Sequence, residues 1–449
     1  MGANQPVAGQ DVLRLLKQAA AEEGARAWIV GGYVRDKLLG RPHPDPDVVV
    51  EQGSAPQLAQ RFARLAGAPP PVIFERFGTA QVTVPGHIVE FVSARAESYP
   101  ADSRKPVVRP ASLEDDIKRR DFTINTLLMD FDGTISDPLG RGRADLEAKV
   151  LRTPVDPAQT FNDDPLRMLR AVRFAAQLGF EVAPEIPPAM REMKGRLTPP
   201  VISAERIADE LRKMLESERP RRAMELLDGG GLLDVVLPEL AACKGVAQGG
   251  YHTHDVYGHT LDALQHTGPD LILRLAALFH DVGKPRTATP DGAFTGHEEV
   301  GATMSVAALE RLRFPQREIE QVAGLVRLHL RPVYYRSEWS DGAVRRLARD
   351  AGDLLDRLMK LARADLAASA YPDREKLDEL QMRLDTVLAE SPSRLTPPVD
   401  GADIMRIRNL RPGREVGRIK ARLSELIMDG EIPADREAVL AYLEGHPDL

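Results

Sequence analysis

Apolar residues recur at helical spacing near the start of the chain. Val12, Leu13, Leu15, Leu16 and Ala19 fall on one side of residues 11–24, which predicts an amphipathic helix. Ala27-Trp-Ile-Val30 is a short apolar run of strand type, and Gly31-Gly32 separates it from a predicted helix over Tyr33–Leu39. Pro69-Pro70-Pro71 breaks the chain after a further helix. Extended runs then follow at Val72–Phe77, Ala80–Val84 and, past the Pro85-Gly86 turn, Ile88–Val92. Strands with an early helix predict a small α+β domain that closes near residue 140. From Asp145 onward the pattern is mostly helical. Gly229-Gly230-Gly231 interrupts it, a His-containing segment begins at Tyr251, and a last helical region follows Pro392, Pro397 and Pro398. Internal repeats and low-complexity stretches are absent from the sequence.

Composition narrows the classes. The 449 residues are 43% hydrophobic and 28% charged, enough for about three ordinary domains. Aromatics make up 5%, which suits helical bundles better than a large β-sandwich. The one cysteine, Cys243, excludes an internal disulfide framework and fits a reducing cytosol. MGANQPVAGQ lacks the basic and apolar regions of a signal peptide, and no apolar run approaches the roughly 18 residues of a membrane span. A cytoplasmic protein without membrane contact is therefore expected. Net charge is −7, so any nucleic-acid binding must use local basic patches. Candidates are Lys118-Arg119-Arg120, the Arg167, Arg170 and Arg173 set, and a C-terminal set from Arg406 to Arg422 that includes Arg411 and Arg414.

The first chemistry lies at the Gly-Gly turn. Two glycines let backbone approach a ligand closely, and a helix start behind them offers N–H groups and a positive dipole end to a triphosphate. Asp45 and Asp47 stand two apart in an extended, β-branched run, so both side chains are expected on one strand face. Paired carboxylates can hold divalent cations side by side, as two-metal nucleotidyl transfer requires. Glu90 is flanked by apolar residues that predict burial. It either shares a metal with Asp45 and Asp47 or forms a salt bridge on its strand. Arg119-Arg120-Asp121-Phe-Thr-Ile-Asn125 combines cations with an Asn able to hydrogen-bond a ribose. Asp163-Asp164-Pro-Leu-Arg167 opens a predicted helix, and the three-residue spacing puts Asp164 and Arg167 on one face. A carboxylate only accepts hydrogen bonds and a guanidinium only donates. Such a pair matches the edge of cytosine or adenine and leaves groups unpaired against uracil or guanine. A helix-surface ion pair is the other reading of these two residues.

Taken in order, these stretches resemble the class II tRNA nucleotidyltransferases, the CCA-adding enzymes and their bacterial poly(A) polymerase relatives in the DNA polymerase beta superfamily. The matching segments are VGGYVRDKLLG, the Asp45/Asp47 pair, Arg95-Ala-Glu97-Ser-Tyr99, DDIKRRDFTIN, DDPLRMLRAVRFA, Ile202-Ser-Ala-Glu-Arg-Ile207 and DGADIMRIRNLRPG. The resemblance implies that Asp45 and Asp47 bind catalytic Mg2+, with Glu90 beside them. It implies that Gly31, Gly32 and Arg35 hold the triphosphate. Arg120, Asp121 and Asn125 would contact the sugar and support the site. Asp164 and Arg167, followed by Arg170, would read the base. Arg95 and Glu97 would belong to the flexible loop that complete CCA-adding enzymes use to switch from C to A. Asp163 departs from the Glu usual in the family.

A second constellation sits in the helical part. His259 lies in a helix-like segment, Leu271–Phe279 ends in His280-Asp281-Val-Gly-Lys284-Pro, and His297, His329 and Asp365 follow. This resembles the HD phosphohydrolase superfamily, which implies that His259, His280, Asp281 and Asp365 ligate a divalent metal. His297 and His329 would extend the shell or bind substrate phosphate. Imidazole with carboxylate suits a transition metal such as Mn2+ or Ni2+. A water activated there would hydrolyse phosphoesters; an inactive spacer scaffold is the alternative.

The expected architecture is an α+β nucleotidyltransferase head with a small mixed or antiparallel sheet (residues 1–140). A helical neck (141–245), a helical HD domain (246–375) and a helical tail binding tRNA (376–449) would follow. The function expected is template-independent CCA addition to tRNA from CTP and ATP. An A-adding enzyme or poly(A) polymerase, an HD phosphohydrolase with a nucleotide-sensing head, and a non-catalytic tRNA-binding protein are the competing readings.

Overall fold

A computed structural model describes residues 9–42, 45–75, 78–98, 107–249, 254–370, 375–390 and 397–449. Residues 76–77, Tyr99, Tyr251 and Pro392, which the sequence reading used, lie outside these. The chain divides into two units, Met1–Val236 and Leu237–Leu449.

The first unit is built on a seven-stranded mixed sheet. Its strands are β1 (Arg26–Val30), β2 (Asp47–Gln52), β3 (Val72–Phe74), β4 (Thr79–Val84) and β5 (His87–Ser93). A separate hairpin pairs β6 (Arg95–Ser98) with β7 (Val107–Pro110), and β8 (Leu128–Met129) and β9 (Ile135–Ser136) return to the main sheet. The order is β3-β4-β5-β2-β1-β8-β9. All neighbours are antiparallel except β2 and β5.

Helices Gly9–Glu23 and Ala55–Leu65 pack on each other, and the second also packs on β4 and β5. Ser54 caps the second helix by accepting from the Gln57 N–H, and Leu58, Ala59, Phe62 and Ala63 make its buried face. Phe62 meets Phe91 of β5 with ring centroids 5.7 Å apart. Full burial of Leu58 and Phe62 contributes roughly 1.5–3 kcal/mol each. On the opposite sheet face Val30, Val49 and Leu128 cluster with Ile117 from helix Leu113–Lys118. Half-buried Asp47 and exposed Glu90 lie on this same face.

Helices continue from Gly142. Leu166–Leu178 is central, packing on Ala204–Leu215 and Pro220–Gly229. The latter ends at the Gly229-Gly230-Gly231 run, where Gly231 takes φ 67°.

Helices are the only regular elements among the described residues of the second unit. Helix Val256–Gln265 packs against Leu355–Ala367, Leu271–Phe279 against Gln316–Leu328, and His297–Arg311 against Gln316–Leu328. The last three helices, Gly401–Arg408, Arg414–Met428 and Arg436–Gly445, close a small core around Ile404, Leu423 and Leu443. Within this unit Arg414–Met428 docks on Asp341–Ala351, where Arg345 donates to the Met428 carbonyl at 2.7 Å and Arg346 pairs with Glu425 and Asp429.

Candidate functional site

In the first unit, antiparallel β1–β2 pairing sets Val30 opposite Asp47, and parallel β2–β5 pairing sets Glu90 on the other side of Asp47. Asp47 and Glu90 therefore share a face at adjacent positions. Glu90 is exposed, not buried as its apolar neighbours predicted. Val89 and Phe91 point to the opposite face, so their burial requires that Glu90 face away from the core. Asp45 differs too. The strand begins at Asp47, and Asp45 precedes it because Pro46 has no N–H to give a ladder. Asp45 lies 3.4 Å from Nδ1 of His87, a neighbour the sequence reading missed.

Gly31 takes φ 78°, and a Cβ there would stand 3.4 Å from Oδ2 of Asp47 and 3.7 Å from Nη1 of Arg120. Burial pushes the Asp47 carboxyl up to about 6, with Glu90 and Asp45 adding repulsion that Arg120 partly offsets. Excess negative charge on an oxygen-only donor set is what a hard divalent cation relieves, so these residues fit Mg2+. Among the described residues the three carboxylates do not close into a group with ligand atoms within 4.8 Å of one another.

Behind this face runs a buried polar chain. Arg35 donates from Nε and Nη2 to the two oxygens of Asp36, both at 2.9 Å, and from Nη1 to Oδ1 of Asn125 at 2.9 Å. Asn125 Nδ2 donates to Asp121 Oδ1 at 2.9 Å, and Arg170 donates twice to Asp121 Oδ2. Burial pushes the Asp121 carboxyl up, but Arg170 and the Asn125 hydrogen bond hold it well below the usual carboxylate range. Arg35, Arg170 and Arg173 all lie over the Phe174 ring, at 5.0, 5.4 and 4.0 Å from its centroid. Arg119 and Arg120 both donate to the fully buried Asp116.

Asp164 is not on a helix. It caps the C-terminal end of Pro157–Asp163 with φ −145° and ψ 103°, and Arg167 lies in the first turn of the next helix. The cause is Pro165, which drives the residue before it out of the helical region. Asp164 accepts from the Leu166 N–H at 3.1 Å and from Arg206 at 3.0 Å. Arg167 donates to the carbonyls of Thr160 at 3.2 Å and Arg119 at 2.5 Å. Arg206 was missed as a partner, although it lies in the quoted Ile202–Ile207 stretch. For Arg95 and Glu97 the backbone of β6 is described, with Arg95 opposite Pro110 and Glu97 opposite Val108.

The second unit brings His259, His280, Asp281, His297, His329 and Asp365 together, all buried. His280 and His329 each follow a helix, His297 starts one, and His259 and Asp365 lie within helices. His259 Nε2 lies 3.0 Å from Asp365 Oδ1, and His280 Nε2 lies 3.3 Å from Asp281 Oδ2. The Nδ1 atoms of His280, His297 and His329 face the carbonyls of Ala277, Phe294 and Val326 at 2.7, 2.8 and 2.6 Å. Donation from Nδ1 turns each Nε2 inward, the atom that binds a metal once it is deprotonated. Lys284 donates to Asp281 Oδ2 at 2.7 Å and to Gln248 at 2.8 Å. Burial lowers His280, yet Asp281 beside it prevails and lifts it to about 9. The anionic centre thus draws a positive charge. Imidazole nitrogens and carboxylates fit a divalent transition metal. Gly283 makes the approach possible, since a Cβ there would stand 2.1 Å from the His297 carbonyl oxygen.

With this geometry in view, comparison with known proteins is specific. The Poly A polymerase head domain model matches residues 27–152, the model described as Probable RNA and SrmB- binding site of polymerase A matches 179–244, and the HD domain model matches 249–368. The A-adding tRNA nucleotidyltransferase of Deinococcus radiodurans is 34% identical over 92% of this chain and 94% of its own length. The CC-adding tRNA nucleotidyltransferase of Thermus thermophilus is 37% identical over 93% and 94%. A crystal structure of the Bacillus stearothermophilus CCA-adding enzyme in complex with CTP covers 97% of both chains with a TM-score of 0.70 at 24% identity, a likeness of fold. The chain belongs to the tRNA nucleotidyltransferase family, with a poly(A)-polymerase-type head and an HD domain.

Proposed function

We propose that the chain adds CCA to tRNA 3′ ends from CTP and ATP without a template. The tRNA 3′-hydroxyl would attack the α-phosphate in line, with pyrophosphate leaving. The observation that carries this reading is the register that sets Asp47 beside Glu90 on one face, with Asp45, Gly31 and Arg120 around them. Asp45 and Asp47, supported by Glu90, would hold two Mg2+ ions, which when bound activate the hydroxyl and steady the pyrophosphate. Gly31 and Gly32 give the triphosphate backbone to lie against, and Arg120 offers it a cation. Arg35 is a positioning residue: its guanidinium is committed to Asp36 and Asn125, which ties the helix Gly32–Leu38 to the Asp121 network.

Asp164 would accept from the amino group of cytosine or adenine while Arg167 donates to the adjacent ring nitrogen. Both are already oriented, Asp164 by Arg206 and Arg167 by two carbonyls, so little freedom is lost on binding. The two relatives are named for A addition and for CC addition, and the chain resembles them about equally. Each name covers one part of the CCA end, and the Arg95-x-Glu97 element is the feature that supports the complete reaction. An A-only product is the second reading, favoured by the Deinococcus relative's name.

The HD centre would hold a divalent transition metal such as Mn2+ or Ni2+ on His259, His280, Asp281 and Asp365, and would hydrolyse phosphoesters. Residues 1–140 would carry catalysis, 141–245 base recognition, 246–375 hydrolysis and 376–449 tRNA binding. The cytoplasm suits this chemistry, and no helix among the described residues is long and apolar enough to cross a membrane.

Asp47→Ala tests the separation. It should abolish nucleotide addition to tRNA and leave phosphoester hydrolysis intact. Loss of both activities in a folded variant would contradict the two-site reading.

A further inference from the structure

Three of the six large apolar side chains that stand exposed among the described residues, Val72, Phe74 and Ile88, belong to one face of the main sheet. The ladder fixes this. Val72 pairs with Gln81, Gln81 with Glu90 and Glu90 with Asp47, so one row crosses four strands from the sheet edge to Asp47. Phe74 comes two residues after Val72 and Ile88 two before Glu90, which puts both on that same face. The other face of β4 and β5 is buried under helix Ala55–Leu65, whereas no residue that β3, β4 or β5 turns to this side is buried. We propose that this open face, centred on Phe74, is the platform on which unpaired bases of the tRNA 3′ end stack while the terminal hydroxyl lies at Asp47 and Glu90. The proposal rests on the nucleotidyl-transfer reading above and deepens it.

Direction, reach and charge support this occupant. Gly31, which gives the triphosphate backbone in that reading, follows β1, and β1 flanks β2 on the side away from β5. In-line displacement sets the attacking hydroxyl opposite the leaving pyrophosphate, so the tRNA end arrives from the β5 side. Val72 stands two strand steps, about 10 Å, from Glu90. At the roughly 3.4 Å rise of a stacked strand, that is the reach of about three nucleotides. The side chains that β3 and β4 turn to this face are all uncharged, so they offer nothing to phosphates and suit the flat faces of bases. An aromatic ring stacks on any base, which accommodates tRNAs that differ at the discriminator position. Phe74 is 47% exposed on an edge strand, a position that invites aggregation unless a ligand covers it.

The test uses the full chain with tRNA ending in CC whose discriminator base is replaced by 2-aminopurine, a base whose fluorescence falls on stacking. Phe74→Ala should raise KM for this tRNA about tenfold, leave KM for ATP in place, and lose quenching that the unaltered chain produces. Phe74→Trp should restore both. Ile88→Asn should act in the same direction, which keeps the test open if Phe74→Ala loosens the sheet edge. Unchanged KM for tRNA or unchanged quenching in variants that melt normally would overturn the platform and leave nucleotide addition standing. A dimer that Phe74→Ala dissolves while KM for tRNA holds would overturn it in favour of a second copy on this face. A chain that extends no tRNA would overturn the transfer reading and the proposal with it.

Discussion

Asp121 joins the end of the head to the helix that follows. It accepts from Asn125, from the Phe122 N–H and from Arg170 of Leu166–Leu178. Because its folded carboxyl lies below the ordinary 3.8, its contribution is present above that pH and is lost as pH falls toward the folded value. Asp121→Asn should cost about 3 kcal/mol, the lower end for breaking a buried pair, since Arg170 keeps part of its side chain in water. Urea melts of both proteins check this. The difference should be constant from pH 8 to about pH 5 and should shrink below about pH 4; a constant difference in acid would refute it. Residue types were legible in the sequence here, but partnerships were not. The spacing of Asp164 and Arg167 said nothing of Arg206, and Asn125 was read toward a ribose while it bonds Arg35 and Asp121. Such pairs bridge up to 90 positions, and one chain's sequence carries no local signal for them.

Prolines account for two of the misread positions at the scale of elements. Pro46 starts β2 at Asp47 and leaves Asp45 ahead of it, and Pro165 splits a reading of one helix into two. Strands β4 and β5 were legible because the Pro85-Gly86 turn separates two alternating runs, and β3 is shorter than read. The metal-centre helices were legible as apolar segments, but their closest approach was not. Gly283 sits against His297 and Gly301, its added Cβ 2.8 Å from the Gly301 N. Gly283→Ala should force this crossing apart, costing roughly 1–3 kcal/mol as overpacking does. It should also weaken Mn2+ binding at the HD centre and spare nucleotide addition. Thermal melts with metal titration measure this, and unchanged metal affinity would show that the crossing does not position His297.

Across the whole molecule the charge is −7, so binding of a polyanion must depend on where cations stand. On the tail, Val416, Ile419, Leu423, Leu426 and Ile427 turn inward, and Arg406, Arg411, Arg414, Arg418, Lys420 and Arg422 are exposed. If this surface meets tRNA, Arg411→Glu with Arg414→Glu should weaken binding about tenfold or more at moderate salt and flatten its salt dependence. Unchanged affinity in a salt titration would remove the tail from the interface. The α+β head followed by helices was legible because strand and helix periods differ; past Ser136 the described residues add one short strand pair, Val150–Leu151 with Glu181–Val182, which the periodicity did not reveal. The product was not, because base edges are read by side-chain orientation, which spacing does not give. The central claim is therefore tested by primer extension with Mg2+, comparing tRNA ending at the discriminator base with tRNA ending in CC, each given CTP, ATP or both. Growth of the first by three nucleotides only with both triphosphates is the result expected. Extension of the CC-ended tRNA alone, by a single A, would contradict it and make this an A-adding enzyme.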